Sequence, residues 1–128
     1  MLGELERDRR IVVADFEAGL GTTLRLQPGT VDVALVVVEP TAKSIDVAQR
    51  AVEAARERAR VVVVANKIAD DDDRRRIEAA LPGEEVVVIP EDAEVARADR
   101  EGAAPIDAAP DAPAVNALAE LAARLDGA

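Results

Sequence analysis

Ile11 to Gly21, reading I-V-V-A-D-F-E-A-G-L-G, is the stretch around which the chain is arranged. Ile11 to Ala14, mostly β-branched, run into Asp15 and Glu17, and a Gly-x-Gly turn follows at Gly19. This is the pattern of a buried parallel strand that delivers carboxylates to the C-terminal edge of a sheet. Open α/β sheets keep their ligands at that edge. A carboxylate there suits Mg2+, a hard cation that takes oxygen ligands and keeps several waters. A plain strand followed by a polar turn accounts for the same residues, and from this stretch alone both readings stand.

Downstream, apolar runs alternate with helical patterns. The first strand is expected over Arg10 to Asp15, followed by a Gly, Thr, Gln and Pro loop from Gly19 to Gly29 long enough to act as a switch or lid. Val33 to Val38 is a continuous apolar run, expected to be covered on both faces. It ends at Glu39-Pro40-Thr41, where Pro40 blocks further pairing and Thr41 can cap a helix. In that helix Ile45, Ala48, Val52 and Ala55 form one apolar stripe. A further strand, Val61 to Ala65, stops at Asn66-Lys67. Asp70 to Asp73 opens a helix carrying Ile77, Ala80 and Leu81, and Pro82-Gly83 closes it. The four aspartates read as first-turn acids favoured by the helix dipole, with a metal cluster as the alternative. Val86 to Ile89 is the fourth expected strand, halted by Pro90-Glu91-Asp92. A short helix over Ala93 to Arg100 leads into a Pro/Ala-rich connector, Gly102 to Pro113. The last helix, Pro113 to Leu125, has Val115, Leu118, Ala122 and Leu125 on one side.

This alternation predicts an α/β fold: three layers, a mainly parallel sheet and flanking helices joined by right-handed crossovers. In such a sheet Asp15/Glu17, Glu39/Thr41, Asn66/Lys67 and Glu91/Asp92 share one edge. That is a ligand-site arrangement. Helix capping explains Thr41 and part of Asp92 equally well, and would account for Asn66 while leaving Lys67 unexplained.

Composition narrows the chemistry. The 128 residues suit one domain spanning 1–128. Phe16 is the single aromatic residue, so no stacking platform for bases can be built from aromatic rings. Acidic residues outnumber basic ones 26 to 16, for a net charge of −10, which argues against nucleic acid and anionic lipid as partners. With no Cys and no His, disulfides, thiolate nucleophiles and imidazole chemistry are excluded. Met1 to Arg10 is charged throughout and no apolar run approaches the about 18 residues of a membrane span. The expected compartment is the cytoplasm.

Four segments in order carry a resemblance: D-F-E-A-G-L-G, V-D-V-A-L-V-V-V-E-P-T-A-K-S-I, V-V-V-A-N-K-I and V-V-V-I-P-E-D-A-E-V-A-R-A-D-R-E-G. Together they resemble the C-terminal portion of a MinD/ParA-type P-loop ATPase, nearest to the CooC-like branch that assists nickel insertion into carbon monoxide dehydrogenase. The resemblance implies an incomplete P-loop NTPase fold lacking the P-loop strand. It implies that Asp15 is the Walker B-like acid near Mg2+ and the attacking water, with Glu17 and Gly19 in the γ-phosphate switch. It makes Asn66 the adenine-reading amide, whose donor and acceptor match two adjacent positions on the base. Lys67 adjoins it, and Pro90, Glu91 and Asp92 form the loop beside the adenine. The implied cofactors are ATP or ADP with Mg2+.

The departures bear on function. Such ATPases carry a Gly-rich loop ending in Gly-Lys-Ser/Thr that cradles the phosphates. Here the lysines are Lys43 and Lys67, and neither follows a glycine. The Cys-x-Cys metal site of the CooC-like branch is missing, and Thr22-Thr23 stands where that branch tends to carry a histidine. An edge dominated by Asp15, Glu17, Glu39, Glu91 and Asp92 would repel the phosphates without a separate basic loop. Alone, the chain is expected not to hydrolyse ATP. The implied partner is a P-loop-bearing N-terminal half or a homologous ATPase subunit, with a metalloenzyme client or a homodimer in the same set. In the family the P-loop strand lies between the Walker B strand and the one matching Asp32 to Val38, so those two either pair directly here or leave apolar edges open. A non-catalytic interaction or regulatory subunit is the alternative function. A receiver or flavodoxin fits poorly, for want of correctly spaced acids and of a flavin phosphate loop.

Overall fold

The computed structural model describes residues 11–16, 29 and 31–126. Three strands alternate with helices: β1 (Val33–Val38), α1 (Ala42–Ala55), β2 (Arg60–Ile68), α2 (Asp71–Ala80) and β3 (Glu85–Pro90). Then come α3 (Ala93–Glu101), the single-turn α4 (Pro105–Ala108) within the expected connector, and α5 (Pro113–Asp126). The strands form one parallel sheet in the order β1-β2-β3, with Val33 opposite Arg60 and Val38 opposite Ala65. The α/β class and the parallel sheet with flanking helices follow the sequence reading.

β2 lies in the middle, and its side chains divide between two cores by the period-2 alternation of a strand. Val63 and Ala65 pack with Val38, Ile45, Ala48, Val52, Ile77 and Leu81 beneath α1 and α2. Val62 and Val64 pack with Val87, Ile89, Ala114 and Leu121 beneath α5, joined by Val95 of α3. Both crossover helices therefore lie on one face, with α3 and α5 on the other, which gives three layers.

The helix starts are chemically specified. Thr41 accepts the Ser44 amide at 3.2 Å, and the Ser44 hydroxyl accepts the Glu39 amide at 2.9 Å. At α2, Asp70 accepts the Asp73 amide at 2.9 Å while Asp73 accepts the Ala69 amide at 3.0 Å, a reciprocal cap. Asp72 pairs with Arg75. These aspartates serve the helix start, and no group of three or more acids among the described residues is placed to hold a metal ion.

Three expectations need correction. Residues 11–16 form no strand: they are irregular and exposed, with Ile11 at 73% and Val13 at 86%. A short apolar run becomes a strand only where a neighbour takes its N–H and C=O groups, and among the described residues none does. Of the two alternatives for the sheet, the open edge is the one observed. Among the described residues β1 pairs only with β2, and on the α5 side Leu35 and Val37 remain 41% and 60% exposed instead of buried. The third correction concerns α5, where Val115 and Leu125 are covered as expected but Leu118 and Ala122 are exposed, and Ala114, Ala117 and Leu121 complete the covered side. With small Ala114 and Ala117 on the contact side, the covered stripe is turned by about one position from that expected.

Candidate functional site

The C-terminal ends of β1, β2 and β3 bring Glu39, Asn66, Lys67, Pro90 and Glu91 to one rim, with Asp92 beginning α3. Parallel pairing requires this convergence, and it follows the sequence reading.

At the end of β2 the ladder changes. Ala65 pairs with Val88 and Ile68 with Pro90, so β2 supplies Asn66 and Lys67 where β3 supplies only Ile89. Two residues against one is a β-bulge. The strand does not stop at Asn66-Lys67 as expected but resumes, and the Glu91 amide donates to the Ile68 carbonyl at 2.9 Å. Packing gives the reason. Ala65 and Ile68 belong to the same core although they are three positions apart, a spacing that puts residues on opposite faces of a regular strand. Without the bulge, Ile68 would leave the α1/α2 core and Lys67 would enter it.

Lys67 carries the backbone cost of this arrangement. Its φ is +57°, the one left-handed non-glycine residue among the described residues, a conformation costing roughly 1–2 kcal/mol for an L-residue with a Cβ. Its ammonium lies 2.7 Å from Glu39 Oε1, tying the end of β2 to the end of β1. The hydrogen bond to Glu39 and that carboxylate's charge, with smaller contributions from Glu91 and Asp99, raise the Lys67 pKa above its ordinary value.

Asn66 is half-buried, and its side chain makes no hydrogen bond to any described residue. The capping role that the sequence allowed falls to Asp70 instead. An amide with two donors and an acceptor, free at a sheet rim, suits a heteroaromatic base edge. Asp92 is committed differently: one carboxylate oxygen accepts the Glu94 amide at 2.9 Å and the other accepts the Ala114 amide at 3.0 Å. Pro90 is half-buried and Glu91 exposed, beside the bulge.

Asp15 is exposed in the irregular segment, with no hydrogen bond or ion pair to a described residue. Asn66, Lys67, Pro90, Glu91 and Asp92 lie together at the rim, and Asp15 makes no hydrogen bond or ion pair with any of them. Glu17 and Gly19 lie outside the described residues. What the sequence reading missed is the bulge. Its signal was parity: an apolar residue at 68, odd-numbered in spacing from Ala65, demands an extra residue between them.

A shallow depression between α1 and α2, at the opposite end of the strands, is lined by Gln49, Arg56, Leu81 and Glu84. Of its polar groups, Gln49 is engaged by the Ala80 carbonyl and Arg56 by Glu84. No described helix is long and apolar enough to cross a membrane.

No family model matches the chain. An uncharacterized ATP-binding protein of Methanocaldococcus jannaschii is 28% identical over 123 residues, covering 92% of this chain and 47% of that protein. The chain thus spans about half the length of the relative it matches.

Proposed function

We propose that this chain is the base-binding portion of an ATP-binding fold of the MinD/ParA type, nearest to the CooC-like branch. In this reading Asn66 reads the adenine edge, Lys67 and the Pro90-Glu91-Asp92 turn flank the base, and a P-loop-bearing segment or subunit grips the phosphates. The observation that carries it is the bulged rim, where a half-buried amide with no hydrogen-bond partner among the described residues stands beside a conformationally strained lysine. The similarity to an ATP-binding protein supports the same ligand class.

Adenine fits the residues present, since Asn66 offers complementary donors and an acceptor. Mg2+ enters this reading with the phosphates, and its acid is Asp15. Bound Mg2+ would offset phosphate charge during transfer. The chain's own contribution is to hold and orient the base. With acids around the rim and no Gly-Lys-Ser/Thr loop in its sequence, the isolated chain does not turn over ATP.

Calorimetric titration of Mg-ATP and Mg-ADP tests this, on the chain alone and after addition of a fragment carrying G-x-x-x-x-G-K-T. Tight binding is expected only in the pair. ATP hydrolysis by the chain alone, or no binding by the pair, would overturn the reading.

The open apolar edge of β1, with Leu35 and Val37 uncovered, favours a second reading. The chain would then be an interaction or regulatory subunit without nucleotide chemistry. It would stay folded and indifferent to Mg-ATP, and a thermal shift with nucleotide in either the chain or the pair would count against it.

A further inference from the structure

We infer that Lys67 is a positioning residue, whose left-handed backbone closes the bulge that releases Asn66 from the core alternation and holds its amide at the rim. What Asn66 meets there rests on the nucleotide reading; how it is held rests on this chain's geometry alone.

Three observations converge. The ladder runs two residues against one only at Asn66-Lys67, between Ala65 paired to Val88 and Ile68 paired to Pro90. A bulge that merely ended the strand would not be followed by resumed pairing, nor by the Glu91 amide donating to the Ile68 carbonyl. The positive φ falls on lysine although asparagine, a residue that tolerates it better, is next door. The surroundings hold it there: Ile68 is anchored in the core, and the Lys67 ammonium is bound to Glu39 of the neighbouring strand end. Backbone conformations fixed in this way by their surroundings cluster at ligand sites, and bulges beside such sites re-aim side chains.

The backbone can be separated from the ammonium by substitution. Glycine and asparagine accept the left-handed conformation, and valine resists it strongly. Two NMR readouts on the full chain are informative: hydrogen-exchange protection of the Glu91 amide, which reports the clamp beyond the bulge, and the response of the Asn66 side-chain amide to adenosine. Adenosine carries the base without phosphates, so no P-loop is needed. Lys67→Gly and Lys67→Asn should keep both within about twofold of wild type. Lys67→Val should lose at least severalfold in each, because β-branching adds crowding to the left-handed cost that lysine already carries. If Lys67→Val does not fold, the polar β-branched Lys67→Thr carries the same comparison.

A valine variant matching wild type in both readouts would overturn the inference. So would a glycine variant as damaged as the valine one, because the ammonium would then matter instead of the backbone. A wild-type chain with no response at millimolar adenosine, and none in the reconstituted pair, sinks the nucleotide reading, and the Glu91 protection series then judges Lys67 on its own.

Discussion

Asp92 Oδ2 accepts the backbone N–H of Ala114 at 3.0 Å, joining the start of α3 to the start of α5 across 22 positions of chain. Its other oxygen caps α3 through the Glu94 amide. One carboxylate thus satisfies donors at two helix starts and fixes how α5 lies over the sheet. Asp92→Ala should destabilise the chain by about 1–3 kcal/mol, the range for losing a cap and leaving a part-buried donor unmet. Asp92→Asn, which keeps only one acceptor oxygen, should lose less. Urea unfolding measures both, and an unchanged midpoint in the alanine variant would remove Asp92 from this role.

The two cores and the open edge predict opposite mutational costs for residues of similar character. Ile77 is fully buried, packed from α2 onto β2 and α1. Its replacement by alanine should cost about 2–5 kcal/mol, because transfer and cavity costs add. Val37, on the uncovered face of β1, should tolerate alanine within about 1 kcal/mol. Equal losses in thermal unfolding would mean that β1 is covered in solution.

Asn66 separates stability from binding. Its amide bonds to no described residue, so Asn66→Ala should leave stability within about 0.5 kcal/mol of wild type. In the reconstituted pair the same variant should weaken ATP binding by about 1–3 kcal/mol, the cost of an unmatched polar group on the base. A destabilised variant with unimpaired binding would assign Asn66 to the fold instead.

The apolar runs Val61 to Ala65 and Val86 to Ile89 are legible because a parallel strand covered on both faces is written in continuous apolar residues, and Val33 to Val38 reads the same way although Leu35 and Val37 stay exposed on the α5 side. Ile11 to Ala14 has the same local character and forms no strand, since a strand also needs a neighbour, and local sequence does not name one. The same distinction governs the rim. Asn66, Lys67 and Pro90 to Asp92 could be placed there from strand order alone, but their individual tasks depend on pairing partners. Asp92 became a double cap because α5 returns across the sheet, a long-range fact. Lys67, unexplained as a cap, gained its meaning from the bulge and from Glu39. Leu118 shows the limit of periodicity: helical spacing identifies a stripe, whereas small Ala114 and Ala117 decide which part of it touches the sheet.

The Lys67–Glu39 pair predicts behaviour at high pH with a definite sign. The contact favours the protonated lysine, so its folded-state pKa lies above the ordinary 10.5. A group raised in this way stabilises the fold fully below its unfolded pKa, and the contribution disappears as pH climbs through the raised value. Glu39→Gln removes the carboxylate charge, and the stability difference between wild type and this variant isolates the pair. That difference should be constant at neutral and mildly alkaline pH and should shrink only above about 10.5. The chain contains no Tyr, Cys or His to confuse the alkaline range, and the arginines stay charged throughout it. Lys43 and the α-amino group are common to both proteins and drop out of the comparison. Thermal unfolding of the two proteins at a series of pH values gives the measurement. A difference that begins to fall near neutrality, or that persists undiminished in strong alkali, would mean that the ammonium of Lys67 does not tie β2 to β1.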